Sequence, residues 1–148
     1  MKNYIENIKS LVGQVGGANV HEQIIDDQEI IAFQITSNGK PLNVALFHRG
    51  YEEQNQLMLQ LFASFAPIYD EPGADFYQVL ERFNLNSIIG HIFFSHEEEI
   101  HRISYKSNCV LDIKDPAHTV NIKIFLETSI LMMGEFDQQL SLIWHMWR

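Results

Sequence analysis

The feature that most constrains the fold of this chain is a long run of helical periodicity near the C-terminus. Apolar or small residues recur there every three or four positions, at Ile122, Leu126, Ser129, Met133, Phe136, Leu140, Ile143 and Trp147. This spacing predicts one helix over residues 116–146, with Asp115 as its N-cap and Pro116 at its first position. At 1.5 Å per residue such a helix is roughly 45 Å long, about the diameter of a domain of this size.

The first half of this predicted helix is apolar on nearly every side. Five apolar residues lie off the main stripe: Val120, Ile124, Phe125, Ile130 and Leu131. Because one sheet face cannot cover the whole perimeter of a helix, this pattern predicts contact with a partner, and a homodimer is the commonest partner. The alternative is that Gly134 kinks the helix and both halves pack back onto one core.

The residues before this helix predict two shorter helices and six strands. Period-two alternation, together with the Asn38-Gly39 turn, predicts a meander of strands, of which segment 57–65 could also be helical. The predicted helices cover residues 3–15 and 70–86, and the predicted strands cover 20–26, 29–36, 42–48, 57–65, 87–95 and 101–107. The order α-β-β-β-β-α-β-β-α predicts a single α+β domain over residues 1–148, with helices against an antiparallel sheet.

Charge and cysteine content narrow the classes of partner. Ten Lys and Arg residues against nineteen Asp and Glu residues give a net charge of −9, which disfavours nucleic acids and anionic membranes. Basic polypeptide segments remain compatible, although an acidic surface also simply keeps a protein soluble. Cys109 is the only cysteine, and the N-terminal residues lack the apolar core of a signal peptide. Lys123 and Glu127 interrupt the best candidate for a membrane span, so we expect a cytoplasmic protein.

One short motif, Ser95-His96-Glu97-Glu98-Glu99-Ile100-His101, lies one residue away from the HExxH zinc signature. Because the two histidines are five positions apart, they diverge by about 140° on a helix and cannot share one metal there. Strand parity instead predicts a hairpin turn, with both rings on the core-facing side. A metal-dependent enzyme using His96, Glu97 and His101 is therefore only the alternative function.

Elsewhere the sequence offers no nucleophile elbow and no phosphate loop, and it predicts no cofactor. Cys109 is interpreted as a small apolar residue near a strand end. Asp26, Asp27 and Glu29 are interpreted as an acidic hairpin turn. A ligand-binding sensory module is a third possibility, but the sequence shows no convergent polar pocket for it.

One set of positions between residues 73 and 147 forms a family pattern: Leu80, Asn84, Gly90, Ile103, Tyr105, Met132, Met133, Leu142 and Trp144. In these positions the chain resembles the YbjN family of small bacterial proteins. The resemblance implies a fold related to the type III secretion chaperones. It also implies a non-enzymatic, dimeric protein that holds a polypeptide client or acts in regulation. Gly90 is expected to provide a backbone conformation or close approach that a side chain would block, and Tyr105 to pack under the last helix.

We expect the long helix to contribute the residues shared between the core, the dimer interface and a client. These residues are Phe125, Met132, Met133, Phe136, Leu140 and Trp144. At the C-terminus, Trp144, Met146 and Trp147 either anchor a partner or complete the core.

Overall fold

The computed structural model describes residues 4–65, 67–144 and 147. Within these residues the chain forms three α-helices and a six-stranded antiparallel sheet, in the predicted element order. The elements are α1 (Tyr4–Gln14), β1 (Ala18–Ile25), β2 (Gln28–Ser37), β3 (Lys40–Tyr51), β4 (Gln56–Ser64), α2 (Ala74–Asn86), β5 (His91–Glu97), β6 (Ile100–Asp112) and α3 (His118–Ile143). The segment with two possible interpretations, 57–65, is strand β4 through Ser64.

The strands lie in the spatial order β1-β2-β3-β4-β6-β5. Four of the five neighbouring pairs are joined by short connections, and the Asn38-Gly39 hairpin turn has the positive φ angles, 52° and 73°, that its residues favour. The exception is β4, which pairs with β6 across the whole of α2 and β5 and places Leu61 opposite Ser107. This long-range pairing makes the two halves of the chain one sheet.

One face of the sheet forms the core. A single row of cross-strand partners, Phe33, Val44, Ala63 and Tyr105, crosses four strands on this face. Each of these side chains is at most 2% exposed. Because side chains alternate between the two faces of a strand, the observed period-two pattern directs the apolar set to this side.

The three helices cover this core face. Helix α3 packs on β2 and β6, with α1 and α2 against its flanks. The flanking helices explain how α3 covers more of its apolar perimeter than one sheet face allows, since Phe125 is buried and Ile130 is partly buried. The helix runs through Gly134 without interruption.

Two predicted helix starts are wrong by a few residues. Helix α3 begins at His118 with Ala117 as its N-cap, and the Asp115 carboxylate accepts a hydrogen bond from the Ala117 N–H at 2.9 Å in a turn before the helix. Asp115 is therefore used by this local turn and does not cap α3. Similarly, α2 begins at Ala74, after Pro72.

Candidate functional site

The predicted site residues on α3 lie in the core of their own chain. Phe125, Met132, Met133, Phe136 and Leu140 are each at most 4% exposed. Trp144 is half-buried, and its ring centroid lies 5.8 Å from that of Phe76. These residues therefore belong to the core, which is one of the roles we expected for them. Their contact with a partner remains a prediction.

The C-terminal aromatic residues that the structure describes complete this core. The Trp147 ring lies 5.5 Å from Phe65 and 6.2 Å from Phe136. Its indole Nε1 donates a hydrogen bond of 2.6 Å to the Asp137 carboxylate, which also accepts one of 2.5 Å from the Ser37 hydroxyl. Met146 lies outside the described residues.

Sequence reasoning missed the buried carboxylate of Asp137. A signal was available, because Asp137 lies four residues after Met133 and three before Leu140 and therefore shares their inward face. A carboxylate in that position needs hydrogen-bond donors, and Ser37 and Trp147 supply them. Asp137 is therefore best explained as a structural group that joins β2, α3 and the C-terminus.

The two histidines of the near-miss zinc motif meet across the β5–β6 hairpin, as strand parity predicted. His96 is the cross-strand partner of His101, and their ring centroids lie 4.3 Å apart in a stacked arrangement. His101 also stacks on Phe94 and is only 3% exposed. The turn itself consists of just two residues, Glu98 and Glu99. The strands are simply longer than predicted.

The alternative metal site does not assemble from the predicted ligands. Glu97 points to the other face of the hairpin, where its carboxylate lies 3.7 Å from Arg102 Nε. The carboxylate beside His101 Nε2, at 3.5 Å, belongs to Glu71. Within residues 4–65, 67–144 and 147, no group of three or more His, Cys, Asp or Glu side chains has the arrangement of a metal site.

Cys109 does not have the surroundings of an activated nucleophile. It is half-buried on β6 opposite Leu59. Burial raises the pKa of the Cys109 thiol, which keeps it protonated at neutral pH. Its interpretation as a small, largely apolar residue of the sheet agrees with this environment.

Helix α3 carries exposed apolar side chains on the side away from the sheet. We call Val120, Ile124 and Leu131 the outer row, because their spacing of four and seven residues places them in one line along the helix. They are 58%, 54% and 55% exposed, respectively. All three lie off the predicted buried stripe of the helix. Lys123 and Glu127, whose charged atoms lie 3.8 Å apart, flank and interrupt this row.

The sheet face opposite the helices, which we call the open face, is a second surface with exposed apolar side chains. Met58 and Val110 are direct cross-strand partners there, and Phe93 lies nearer the β5 edge. These three side chains are between 41% and 57% exposed. Hydrogen-bonded amide pairs lie between such apolar positions, for example Gln60 with Asn108 at 2.9 Å. The open face therefore mixes apolar side chains with amides that can hydrogen-bond.

Comparison with known proteins supports the fold. No protein-family model matches the chain, and no curated protein matches it. Among solved structures, that of YbjN from E. coli, a proposed transcription regulator, is similar over 97% of this chain and 93% of the other, with a TM-score of 0.51 and 10% sequence identity. The predicted YbjN-like fold is confirmed by this similarity. At this level of identity, the similarity concerns the fold alone. In the described part of the chain, no helix has the length and apolar character needed to cross a membrane.

Proposed function

We propose that this chain is a non-enzymatic binding protein, a YbjN-like regulator or chaperone that acts as a homodimer and holds a polypeptide segment. The observation that carries the proposal is the outer row of α3. Three large apolar side chains, each more than half exposed, lie in one line on the most apolar helix of the chain. Aligned apolar residues of this kind are typical of helices that pack against another helix.

A second copy fits the outer row because the row is self-complementary. If a two-fold axis passes level with residues 125–126, midway between Val120 and Leu131, the two α3 helices run antiparallel, and Val120 of one copy faces Leu131 of the other. The same arrangement brings Lys123 of each copy toward Glu127 of the other, so the ion pair within each helix exchanges partners across the axis. An isologous interface requires this kind of reciprocity.

The dimer is tested by comparing two Leu→Glu variants in sedimentation velocity. We expect the wild-type chain to sediment as a dimer at micromolar concentration, and Leu131→Glu to sediment as a monomer because it buries a charge at the interface. Leu85→Glu is the matched control, since Leu85 is equally an exposed leucine near the end of α2. A monomeric wild-type chain, or a Leu131→Glu variant as dimeric as the control, would contradict the proposal.

The open face is the surface that we propose for the client. It offers the Met58–Val110 pair and Phe93 beside amide groups, and the whole chain carries a net charge of −9. These properties suit an extended polypeptide in which apolar residues alternate with basic ones. The surface is separate from the outer row, so client binding does not compete with dimer formation.

Client binding is tested by fluorescence anisotropy with two labelled peptides that alternate leucine with either lysine or glutamate. We expect the lysine peptide to bind and the glutamate peptide not to bind. Val110→Lys should weaken binding about tenfold, the effect of roughly 1.4 kcal/mol. Ile88→Lys, at an exposed position outside the sheet, should bind like the wild-type chain. Equal binding of both peptides, or equal affinities of the two variants, would count against a client site on the open face.

A further inference from the structure

Strands β2 and β3 diverge near the start of β2 and the end of β3, so they pair over only part of their lengths. Their pairing stops at Ile30 opposite Phe47. Beyond that point, residues 28–29 of β2 continue to pair with β1, whereas residues 48–51 of β3 continue to pair with β4. We call the gap between these diverging segments the strand fork. An open pocket of about 460 Å³ lies at this gap, within the size range of small-molecule sites, roughly 300–1,000 Å³.

The two sides of the strand fork carry opposite charges. Asp27 and Glu29 line it from the β1–β2 turn and the start of β2, and Arg49 lines it from β3. Within residues 4–65, 67–144 and 147, none of these three side chains forms an ion pair within 4.0 Å. Their charges therefore remain available to a ligand and do not neutralise each other across the gap.

The rest of the lining is apolar or aromatic. Phe47 and Met58 contribute from the open face, and the Arg49 guanidinium lies 5.7 Å from the centre of the Tyr51 ring. On the helix side, the Tyr4 hydroxyl lies 3.0 Å from His48 Nδ1. Burial, and secondarily the negative charge of Glu29, raises the pKa of the Tyr4 hydroxyl. At 5.7 Å the Arg49 guanidinium is within cation–π range of Tyr51, and its planar donor set suits a carboxylate.

We propose that the strand fork binds a free α-amino acid with an apolar side chain. The ligand carboxylate pairs with Arg49, and its ammonium group pairs with Glu29, assisted by Asp27. The apolar side chain of the ligand packs on Phe47 and Met58. A zwitterion is the small ligand that can pair with both an acidic and a basic side chain of the lining, whereas a simple anion or cation would leave one of them without a partner.

This site is independent of the outer row of α3. It also supplies the convergent polar pocket that is not apparent in the sequence, where Glu29 and Arg49 are twenty positions apart. Asp27 and Glu29, which the sequence presents as a solvated acidic turn, become one wall of the pocket because the strands diverge beside them. A regulator with such a site would respond to amino-acid supply.

The test is titration of the isotopically labelled full chain, followed by amide NMR, with L-leucine, leucinamide and N-acetyl-leucine. We expect saturable shifts in residues 27–29 and 47–51 for L-leucine at about 10 mM, ten times the dissociation constant of a weak, 1 mM site. Arg49→Gln should weaken leucine binding about tenfold and leave leucinamide binding unchanged, because leucinamide has no carboxylate. Glu29→Gln should weaken leucine and leucinamide binding but not that of N-acetyl-leucine.

Arg102→Gln is the matched control, since Arg102 lies at the far end of the sheet on β6 and should bind leucine like the wild-type chain. All variants change exposed side chains, and their amide spectra report directly whether they remain folded. The absence of shifts in the fork residues with L-leucine would overturn the proposal. So would leucine binding that neither Arg49→Gln nor Glu29→Gln weakens.

Discussion

At the scale of single residues, the packing of α2, β5 and β6 depends on contacts made by Asn84, Gly90 and Tyr105. The Asn84 side chain donates to the Ile92 carbonyl at 3.1 Å and accepts from the Ile92 N–H at 2.8 Å, which ties α2 to β5. The Tyr105 hydroxyl donates to the Ile89 carbonyl at 2.7 Å. Gly90 has φ +79°, and a Cβ there would collide with the Tyr105 hydroxyl. The expected role of Gly90, both conformational and steric, is therefore confirmed.

Gly90→Ala should destabilise the chain by about 3 kcal/mol, because it combines a left-handed backbone with a steric collision. Gly39→Ala is the control, since Gly39 has a similar φ of +73° but open space around its Cβ position. We expect the control to cost only about 1 kcal/mol. Urea unfolding measures both free energies, and equal losses in the two variants would show that the contact with Tyr105 has no role.

Sequence reasoning identified Gly90 and Tyr105 but not the burial of His101. Gly90 and Tyr105 matched positions of a known family pattern, and Tyr105 shares strand parity with Ile103. His101 is buried by Phe94, His96 and the segment around Ile68, whose backbone forms two hydrogen bonds with that of His101, at 3.0 and 2.8 Å. No local pattern shows that residues more than thirty positions apart in the sequence will pair in this way.

At the scale of elements, Gly134 lowers the stability of α3, because it is a glycine in the helix interior. A glycine in a helix interior loses more backbone entropy on folding than alanine does. A Cβ at Gly134 would meet no atom of another element within 4 Å. We therefore expect Gly134→Ala to raise the free energy of unfolding by about 1 kcal/mol in urea unfolding. A loss of stability would mean that this glycine serves a packing or conformational need.

Periodicity predicted every α-helix among the described residues and every strand except β4, whose segment could also have been a helix, whereas several boundaries could not be predicted. β6 continues to Asp112 and β3 to Tyr51, well past their predicted ends. Both extensions are polar or mixed in sequence and become strands because they pair with β4, as Tyr51 does with Gln56. Period-two alternation reveals a strand only where one of its faces is buried. It does not reveal a strand segment that is held mainly by backbone hydrogen bonds.

At the scale of the whole molecule, the position of β6 between β4 and β5 decides where the surfaces lie. It brings Val110 beside Met58 and completes the open face, and it leaves α3 centred over the core face with its outer row exposed. Strand order depends on contacts distant in sequence, so it could not be predicted from periodicity. Periodicity did predict that α3 carries more apolar residues than one sheet face can cover. In the structure the apolar residues Val120, Ile124 and Leu131 remain exposed.

We predict that these uncovered residues meet their counterparts in a second copy. The most direct measurement is cross-linking of Ile124→Cys in a Cys109→Ser background, using a short bis-maleimide that spans the distance of about 8–10 Å between packed helices. We predict a covalent species of twice the 17.2 kDa chain mass for Ile124→Cys, and only monomer for Leu85→Cys in the same background. Monomer alone from both variants at micromolar concentration would contradict the homodimer.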